Sequence, residues 1–177
     1  MPTTPTRQWF TEQQHRGLLT SNGGPMNVVQ VPQIAGVKLF RPDPQVDARG
    51  FFCRTFDAEI IRAAGIDPNG FVQDSLSRSN LGVVRGLHVR GGDGEAKLVR
   101  CSYGTIFDVV IDLRPSSPTF RNWVSFELKD EEQISLYIPV GCAHGFQALT
   151  NTADVSYRID RLTIPPRTCR SPLTTSS

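Results

Sequence analysis

The sequence predicts an all-β domain, a sandwich or barrel, with one short helix. From Met26 onward, short runs of β-branched and aromatic residues alternate with turns rich in Gly and Pro. Only one segment, residues 58–64, has the composition and flanking signals of a helix. At 177 residues, the chain is long enough for one domain with a sizeable core.

The first elements follow a polar extension. Residues 1–25 are rich in Thr, Gln, Pro and Gly, and this composition predicts a flexible segment. Two strands are expected in N-V-V-Q-V-P and G-V-K-L-F-R-P. P-D-P-Q-V-D-A-R-G then predicts a turn before a strand over 49–56. Asp57 is the expected N-cap of the helix A-E-I-I-R-A-A, and Gly65 its stop.

Strand signals dominate the rest of the chain. The domain is expected to span residues 26–166, followed by a polar tail over 167–177. The predicted strands in this part cover residues 71–75, 82–90, 97–103, 105–113, 123–128, 135–139, 145–149 and 155–160.

The strand I-F-D-V-V-I-D-L-R carries two carboxylates. Asp108 and Asp112 share one face of this strand by the period-two rule. We expect the other face to be the core face, since it is wholly apolar: Val109, Ile111 and Leu113. Carboxylates in so apolar a strand require cations or water. They therefore indicate either a functional site or a pair of structural salt bridges at the strand ends.

Composition excludes several classes of protein. A net charge of +2 gives no case for nucleic-acid binding. No stretch approaches the ~18 apolar residues of a membrane helix, and the N-terminus lacks the apolar core of a signal peptide. The cysteines, Cys53, Cys101, Cys142 and Cys169, form no C-x-x-C pair. We therefore expect reduced, mostly buried thiols in a cytoplasmic protein.

Metal and nucleophilic chemistry find little support in the sequence. There are three histidines and no H-x-H pair, so we expect no metal site. Neither G-x-S-x-G nor a Gly-rich phosphate loop occurs. Cys142 lies near His144, but neighbours in sequence are not a Cys/His pair, and packing explains that thiol better.

Acid–base chemistry is better supported, because S-R-S-N-L-G-V-V-R-G-L-H-V-R-G-G-D-G-E-A-K contains Arg85, His88 and Lys97. Imidazole exchanges protons near neutral pH, so His88 is a candidate base. Lys97 could stabilise an oxyanion, and Tyr157 could return a proton. Each residue alone is more often structural. The combination indicates proton abstraction next to a carbonyl.

These motifs resemble a known family. The matching segments are D-A-R-G-F-F, F-V-Q-D-S, S-N-L-G-V-V-R-G-L-H, A-K-L-V-R-C, G-T-I-F-D-V-V-I-D-L-R-P-S-S-P-T-F and I-P-V-G-C-A-H-G-F. In this order they resemble the dTDP-4-dehydrorhamnose 3,5-epimerase family of sugar-nucleotide epimerases. The resemblance implies a cupin-like jelly-roll β-barrel, usually a homodimer, that needs no metal or cofactor. It also implies a nucleotide-linked 4-keto-6-deoxyhexose as the substrate, carried by dTDP or CDP.

The resemblance also implies roles for residues. His88 corresponds to the base that removes the C3 or C5 proton, Lys97 to the enolate stabiliser, and Tyr157 to the proton donor. Substrate-binding roles fall on five further positions: Arg49, Phe52, Gln73, Arg85 and His144. Arg85 and His144 would meet the diphosphate. The other three would hold the nucleotide or sugar, with the partner subunit as a possible source.

The chain also departs from the family pattern. It carries no W-N-D-P-like segment, whose Asp pairs with the catalytic His in the family, so Asp108 and Asp112 are candidates to support His88. Arg54 stands where the family has an acid, and Arg90 replaces a Gln, which makes the nucleotide site more basic. Two hypotheses therefore remain: an epimerase acting at C3, C5 or both, or a diverged protein that binds a sugar nucleotide without turnover.

Overall fold

The computed structural model describes residues 26–91 and 94–162, so the predicted extension, the polar tail and Cys169 lie outside the described residues. Within those ranges there are twelve strands, one α-helix and one 3-10 turn. The helix is α1, Ala58–Ala63, and the 3-10 turn is Pro68–Gly70. The strands are β1 Met26–Gln30, β2 Lys38–Pro42, β3 Gln45–Asp47, β4 Gly50–Phe52, β5 Gln73–Asn80, β6 Val84–His88, β7 Lys97–Tyr103, β8 Thr105–Asp112, β9 Trp123–Lys129, β10 Ser135–Ile138, β11 Cys142–Ala148 and β12 Thr152–Ile159.

Two antiparallel sheets enclose the core. One has six strands in the order β1-β2-β10-β7-β12-β5, and the other has four in the order β6-β11-β8-β9. Their facing sides, here called the interior faces, meet in one apolar cluster that includes Val99 and Leu136 from the first sheet and Val110 and Phe126 from the second. The predicted all-β sandwich or barrel with one short helix is confirmed.

Helix α1 covers the outer face of the six-stranded sheet. Its buried residue Ile61 packs in a second cluster with Phe40 and Leu98. The Asp57 carboxylate caps the helix by accepting hydrogen bonds from the backbone N–H groups of residues 59 and 60, at 3.0 and 3.2 Å. Gly65 follows the helix with a φ of +81°, which an L side chain adopts only with strain. The predicted N-cap and stop are therefore both confirmed.

The predicted strand over 49–56 is wrong in extent. Only Gly50–Phe52 is extended, and it pairs with Gln45–Asp47, which the sequence analysis assigned to a turn. All six residues of this hairpin are exposed. A strand pair with no buried face shows no alternation of apolar and polar residues. The sequence pattern therefore could not locate the ends of these two strands.

Strand β5 is longer than predicted. It continues from Gln73 to Asn80 instead of ending at residue 75. The side chains alternate between half-buried or buried and exposed, but the buried set beyond Gln73 consists of serines: Ser75, Ser77 and Ser79. Because the interior side chains are polar, the usual apolar alternation of a strand is absent here. Among the other strands, β11 and β12 each begin three residues earlier than predicted.

The prediction of the core face of β8 is also wrong. Asp108 and Asp112 are fully buried on the interior face, on either side of the core residue Val110. Val109 and Ile111 lie half-buried on the outer face instead. The interior face accepts the carboxylates because both have polar partners, which offset the cost of removing a charge from water.

Candidate active site

The strand register places His88 and Arg85 on the interior face of the four-stranded sheet. His144 of β11 lies directly opposite His88 of β6, and Phe146 lies opposite Arg85, because the register shifts by one residue between these two pairs. Directly opposed residues of an antiparallel pair share a face. His144 is also opposite the core residue Val110, which identifies that face as the interior one.

The same reasoning places Lys97 and Tyr157 on the interior face of the six-stranded sheet. Tyr157 of β12 lies opposite Val99 of β7, and Val99 belongs to the core. Lys97 is two residues from Val99 on the same strand and therefore shares its face. The predicted base and the predicted proton donor thus lie on two sheets that face each other.

Lys97 is held by Glu95, a residue that the sequence analysis did not single out. The Lys97 Nζ atom lies 2.9 Å from Glu95 Oε1, and both side chains are only 12% exposed. Arg90 contacts the other Glu95 oxygen at 3.1 Å. Burial acts to raise the pKa of Glu95, but the two cations outweigh it and lower that pKa. The sequence signal that could have identified Glu95 is its position at the end of a Gly-rich turn, two residues before the candidate Lys97.

Asp108 and His144 form a buried pair. The distance from His144 Nε2 to Asp108 Oδ2 is 2.7 Å, and the Asp108 side chain is fully buried. The other oxygen, Oδ1, has no hydrogen-bond partner in the described part of the chain. Burial raises the pKa of Asp108, while His144 and the charge of Lys97 oppose that rise. The influence of Lys97 shows that the two sheets bring their polar groups within electrostatic range.

The expectation that Asp108 or Asp112 supports His88 directly is corrected. Asp108 bonds His144, and both Asp112 oxygens are taken by Arg114, Ser117 and Thr119 at 2.5–2.8 Å. The His88 side chain makes no hydrogen bond or ion pair with any residue of 26–91 or 94–162. Asp112 therefore forms a structural salt bridge at a strand end, which is one of the two alternatives that the sequence analysis left open.

Asp112→Asn is expected to destabilise the fold by about 3 kcal/mol, the usual cost of breaking a buried ion pair. Burial acts to raise the pKa of Asp112, but hydrogen bonds from Arg114 and its neighbours hold it well below the ordinary range. A depressed folded-state pKa stabilises the protein above the unfolded pKa of about 4, and this contribution is lost as pH falls below it. Urea unfolding at pH 7 and at pH 3 should show the difference between wild type and variant shrinking at pH 3. An equal difference at both pH values would contradict this assignment.

Tyr157 is more than half buried and packs against the apolar core cluster. Its hydroxyl lies 3.3 Å from the Ser77 Oγ atom. Burial, the largest effect, raises the pKa of Tyr157, and the Asp108 charge acts in the same direction. The Ser77 hydrogen bond and the Arg85 charge lower that pKa. Asp108 and Arg85 belong to the opposite sheet, so the phenol faces across the interior.

Two substrate-binding candidates have hydroxyl partners on β5. The Arg85 guanidinium donates through Nε to Ser79 Oγ at 2.9 Å and through an η nitrogen to the Arg78 carbonyl at 3.0 Å. Gln73 donates through Nε2 to Ser75 Oγ at 3.2 Å. Both side chains therefore lie along the strand that borders Tyr157.

Arg49 and Phe52 are not brought to the interior within one chain. Both belong to the exposed hairpin β3–β4, where the Arg49 side chain is 90% exposed and forms an ion pair with Asp47 at 2.5 Å. Phe52 is 75% exposed.

Over residues 26–91 and 94–162, no group of three or more His, Cys, Asp or Glu side chains is arranged to hold a metal ion. Within the same ranges, no helix is both long and apolar enough to cross a membrane.

Comparison with known proteins gives a consistent result. The family model for dTDP-4-dehydrorhamnose 3,5-epimerase matches residues 32–169. The chain is 42% identical over 134 residues to the dTDP-4-dehydrorhamnose 3,5-epimerase of Shigella flexneri, covering 75% of this chain and 74% of the relative. It is 38% identical over 125 residues to a dTDP-4-dehydrorhamnose 3-epimerase of Streptomyces niveus, covering 70% and 60%.

A solved structure supports the same relation. The Legionella pneumophila dTDP-6-deoxy-D-glucose-3,5-epimerase in complex with dTDP-4-keto-L-rhamnose superposes with a TM-score of 0.74. That comparison has 40% sequence identity and covers 79% of this chain and 74% of the other. The predicted cupin-like jelly-roll fold is confirmed by this likeness.

Proposed function

The chain belongs to the dTDP-4-dehydrorhamnose 3,5-epimerase family, and on that premise we propose that it inverts C3, C5 or both of a dTDP-linked 4-keto-6-deoxyhexose through an enolate. It is an epimerase of the isomerase class, and its substrate is a dTDP-sugar. We assign the base to His88, the enolate stabiliser to Lys97 and the proton donor to Tyr157.

The division of these groups between the facing sheets carries the assignment. His88 lies on the four-stranded sheet, and Tyr157 lies on the six-stranded sheet opposite it. A sugar ring bound between the sheets presents one side to each residue. Removal of a proton on one side and its return on the other inverts the carbon, which is the outcome that an epimerase requires.

The chemical steps follow from these positions. His88 takes the proton from the carbon next to the C4 ketone, and the electron pair moves toward the ketone oxygen. The Lys97 ammonium, held in place by Glu95, stabilises the enolate oxygen. Tyr157 then gives its proton to the opposite side of the carbon. The protonated His88 releases its proton to solvent and the tyrosinate takes one from solvent, so both groups return to their starting states. No group is consumed, so the cycle needs no oxidant or reductant.

We assign the diphosphate to Arg85 and His144. Arg85 offers donors that can meet two phosphate oxygens, since Ser79 and the Arg78 carbonyl occupy only Nε and one η nitrogen. His144 is oriented by Asp108, which leaves Nδ1 as its second polar atom. Gln73, on the same strand as Ser77, is placed to contact the nucleotide or the sugar.

Proton NMR in D2O tests this function. Incubation with dTDP-4-keto-6-deoxyglucose is expected to remove the H3 signal, the H5 signal or both, and to give the inverted product. Parallel incubation with the CDP-linked sugar measures the nucleotide preference. Thermal stabilisation by the ligand without exchange at either carbon would instead identify a binding protein without turnover.

We further propose that the protein is a homodimer. The hairpin β3–β4 exposes Val46, Phe51 and Phe52 at 77%, 54% and 75%, and strand β6 exposes Val84 and Leu87 at 66% and 54%. Exposed apolar side chains in such number indicate a surface that another protein covers. A second copy would cover it and would place Arg49 and Phe52 near the partner's interior.

Complementation between inactive variants is expected if Arg49 serves the partner's site. A mixed dimer of His88→Asn and Arg49→Ala then contains one site with both natural residues. Random mixing should restore about a quarter of wild-type activity, since half of the dimers are mixed and each has one intact site. Activity that stays at the level of the separate variants would place Arg49 in its own chain's site or outside any site.

We propose a cytoplasmic location. Three cysteines in the described ranges, Cys53, Cys101 and Cys142, are free thiols, and the latter two are buried. Unpaired buried thiols are usual in a reducing compartment. Fractionation of cells producing the tagged protein would test this location.

A further inference from the structure

Strand β5 carries a column of hydroxyl groups along its interior face. Ser75, Ser77 and Ser79 occupy alternate positions, and they lie opposite Tyr157, Val155 and Ala153 of β12 in turn. The interior side chains of neighbouring strands are largely apolar, as Val99, Cys101 and Val155 show. Three successive hydroxyls on one such face therefore require a reason other than core packing.

Each hydroxyl of this serine column bonds a different residue of the proposed site. Ser75 accepts from Gln73, Ser77 bonds the Tyr157 hydroxyl, and Ser79 accepts from Arg85. The column thus connects the nucleotide-binding, proton-donating and diphosphate-binding groups along one strand. Because serine is short and its hydroxyl has one main rotatable bond, it fixes a partner at low entropic cost.

We propose that Ser77 is a positioning residue for the epimerisation, holding the Tyr157 hydroxyl so that it returns the proton to the side of the sugar opposite His88. This role rests on the proposed function, because Tyr157 acts there as the proton donor. Ser77 does not touch the substrate in this scheme. It acts by directing the phenol and by donating a hydrogen bond to the tyrosinate that remains after proton transfer.

The electrostatics of Tyr157 agree with that role. Burial raises the pKa of the phenol, which makes proton loss harder, and the nearby Asp108 carboxylate acts in the same direction. The Ser77 hydrogen bond and the Arg85 charge lower it. Removal of the Ser77 hydroxyl should therefore raise the pKa of Tyr157 further and slow delivery of its proton.

Comparison of Ser77→Ala, Ser77→Thr and Tyr157→Phe in D2O separates proton removal from inversion. Ser77→Ala should keep exchange at C3 or C5 within about threefold, because His88 is unchanged. It should slow formation of the inverted sugar by about 10- to 100-fold, a usual effect of a misplaced reacting group. Ser77→Thr, which retains the hydroxyl, should restore inversion, whereas Tyr157→Phe should resemble Ser77→Ala in more severe form.

Ser156→Ala is the matched control. Ser156 precedes Tyr157 on the same strand but lies on the outer face, and its Oγ atom has no hydrogen-bond partner in the described ranges. This variant should exchange and invert like wild type. A general effect of a serine-to-alanine change beside the site would slow inversion in both Ser77→Ala and Ser156→Ala. Slower inversion in Ser77→Ala alone therefore supports the positioning role.

A spectroscopic titration provides a readout that does not depend on turnover. The chain has three tyrosines, so the tyrosinate signal of Tyr157 can be assigned as the part lost in Tyr157→Phe. Ser77→Ala should move that signal to higher pH. The proposal is overturned if Ser77→Ala forms the inverted sugar at the wild-type rate. It is also overturned if the rates of exchange and inversion fall together while the pH at which Tyr157 titrates does not change. A wild-type protein that neither exchanges nor inverts any 4-keto sugar would overturn the proposed function itself.

Discussion

His88→Asn is expected to lower the kcat of epimerisation by about 10²–10⁴-fold, the range that general-base catalysis supplies. Asparagine matches the polarity of imidazole but cannot accept a proton near neutral pH. The exchange of H3 and H5 with D2O and the formation of the inverted product should slow together, because each depends on the same first step. This pattern differs from that expected for Ser77→Ala, in which exchange persists.

The fold should survive this change. His88 lies at the end of β6 and is exposed in the single chain, and its side chain forms no hydrogen bond with the described residues. The thermal unfolding temperature of the His88→Asn variant and its stabilisation by dTDP should therefore stay close to those of wild type. Exchange at the wild-type rate in His88→Asn would identify another base, and the nearest candidate by register is His144 with its partner Asp108.

Lys97→Met is expected to lower kcat by about 10²–10³-fold, the usual effect of removing one oxyanion-stabilising group. Methionine keeps much of the length of the side chain and its apolar stem but has no charge. The enolate would then form without a cation, so both exchange and inversion should slow in parallel. The KM value should change less, since the charge on the oxygen develops only as the proton leaves.

Two comparisons identify the cause of that loss. Lys38→Met removes a lysine of β2 that bonds Gln30 on the outside of the sheet, and it should leave kcat unchanged. Glu95→Gln keeps the Lys97 ammonium but removes its closest anion, so it should cost less than Lys97→Met. A Glu95→Gln loss as large as that of Lys97→Met would mean that the ion pair, rather than the ammonium on the enolate, is required.

Much of the fold followed from local patterns. Alternating apolar residues located most strands, and Asp57 and Gly65 marked the ends of the helix. Prediction failed where the buried side chains are polar. In β5 the interior side chains are serines, so the strand was cut short, and in β8 the buried side chains include two carboxylates, so the core face was reversed.

The candidate site divides in the same way. His88, Lys97 and Tyr157 were identified from residue type and from the resemblance of the surrounding motifs. Their separation onto two facing sheets depends on strand register, which links residues far apart in the chain. The partner of Asp108 is His144, 36 residues away, and no local signal distinguishes that pairing from support of His88.

The sequence by itself determined the class of chemistry and the kind of fold. Residue type sets which groups can carry a proton or a charge, and side-chain periodicity sets which segments extend. Only the tertiary structure decided which polar groups far apart in the chain meet: Asp108 with His144 and Tyr157 with Ser77. The reason is that each of these hydrogen bonds joins neighbouring strands that are distant in the chain, so its distance is set by strand pairing and register.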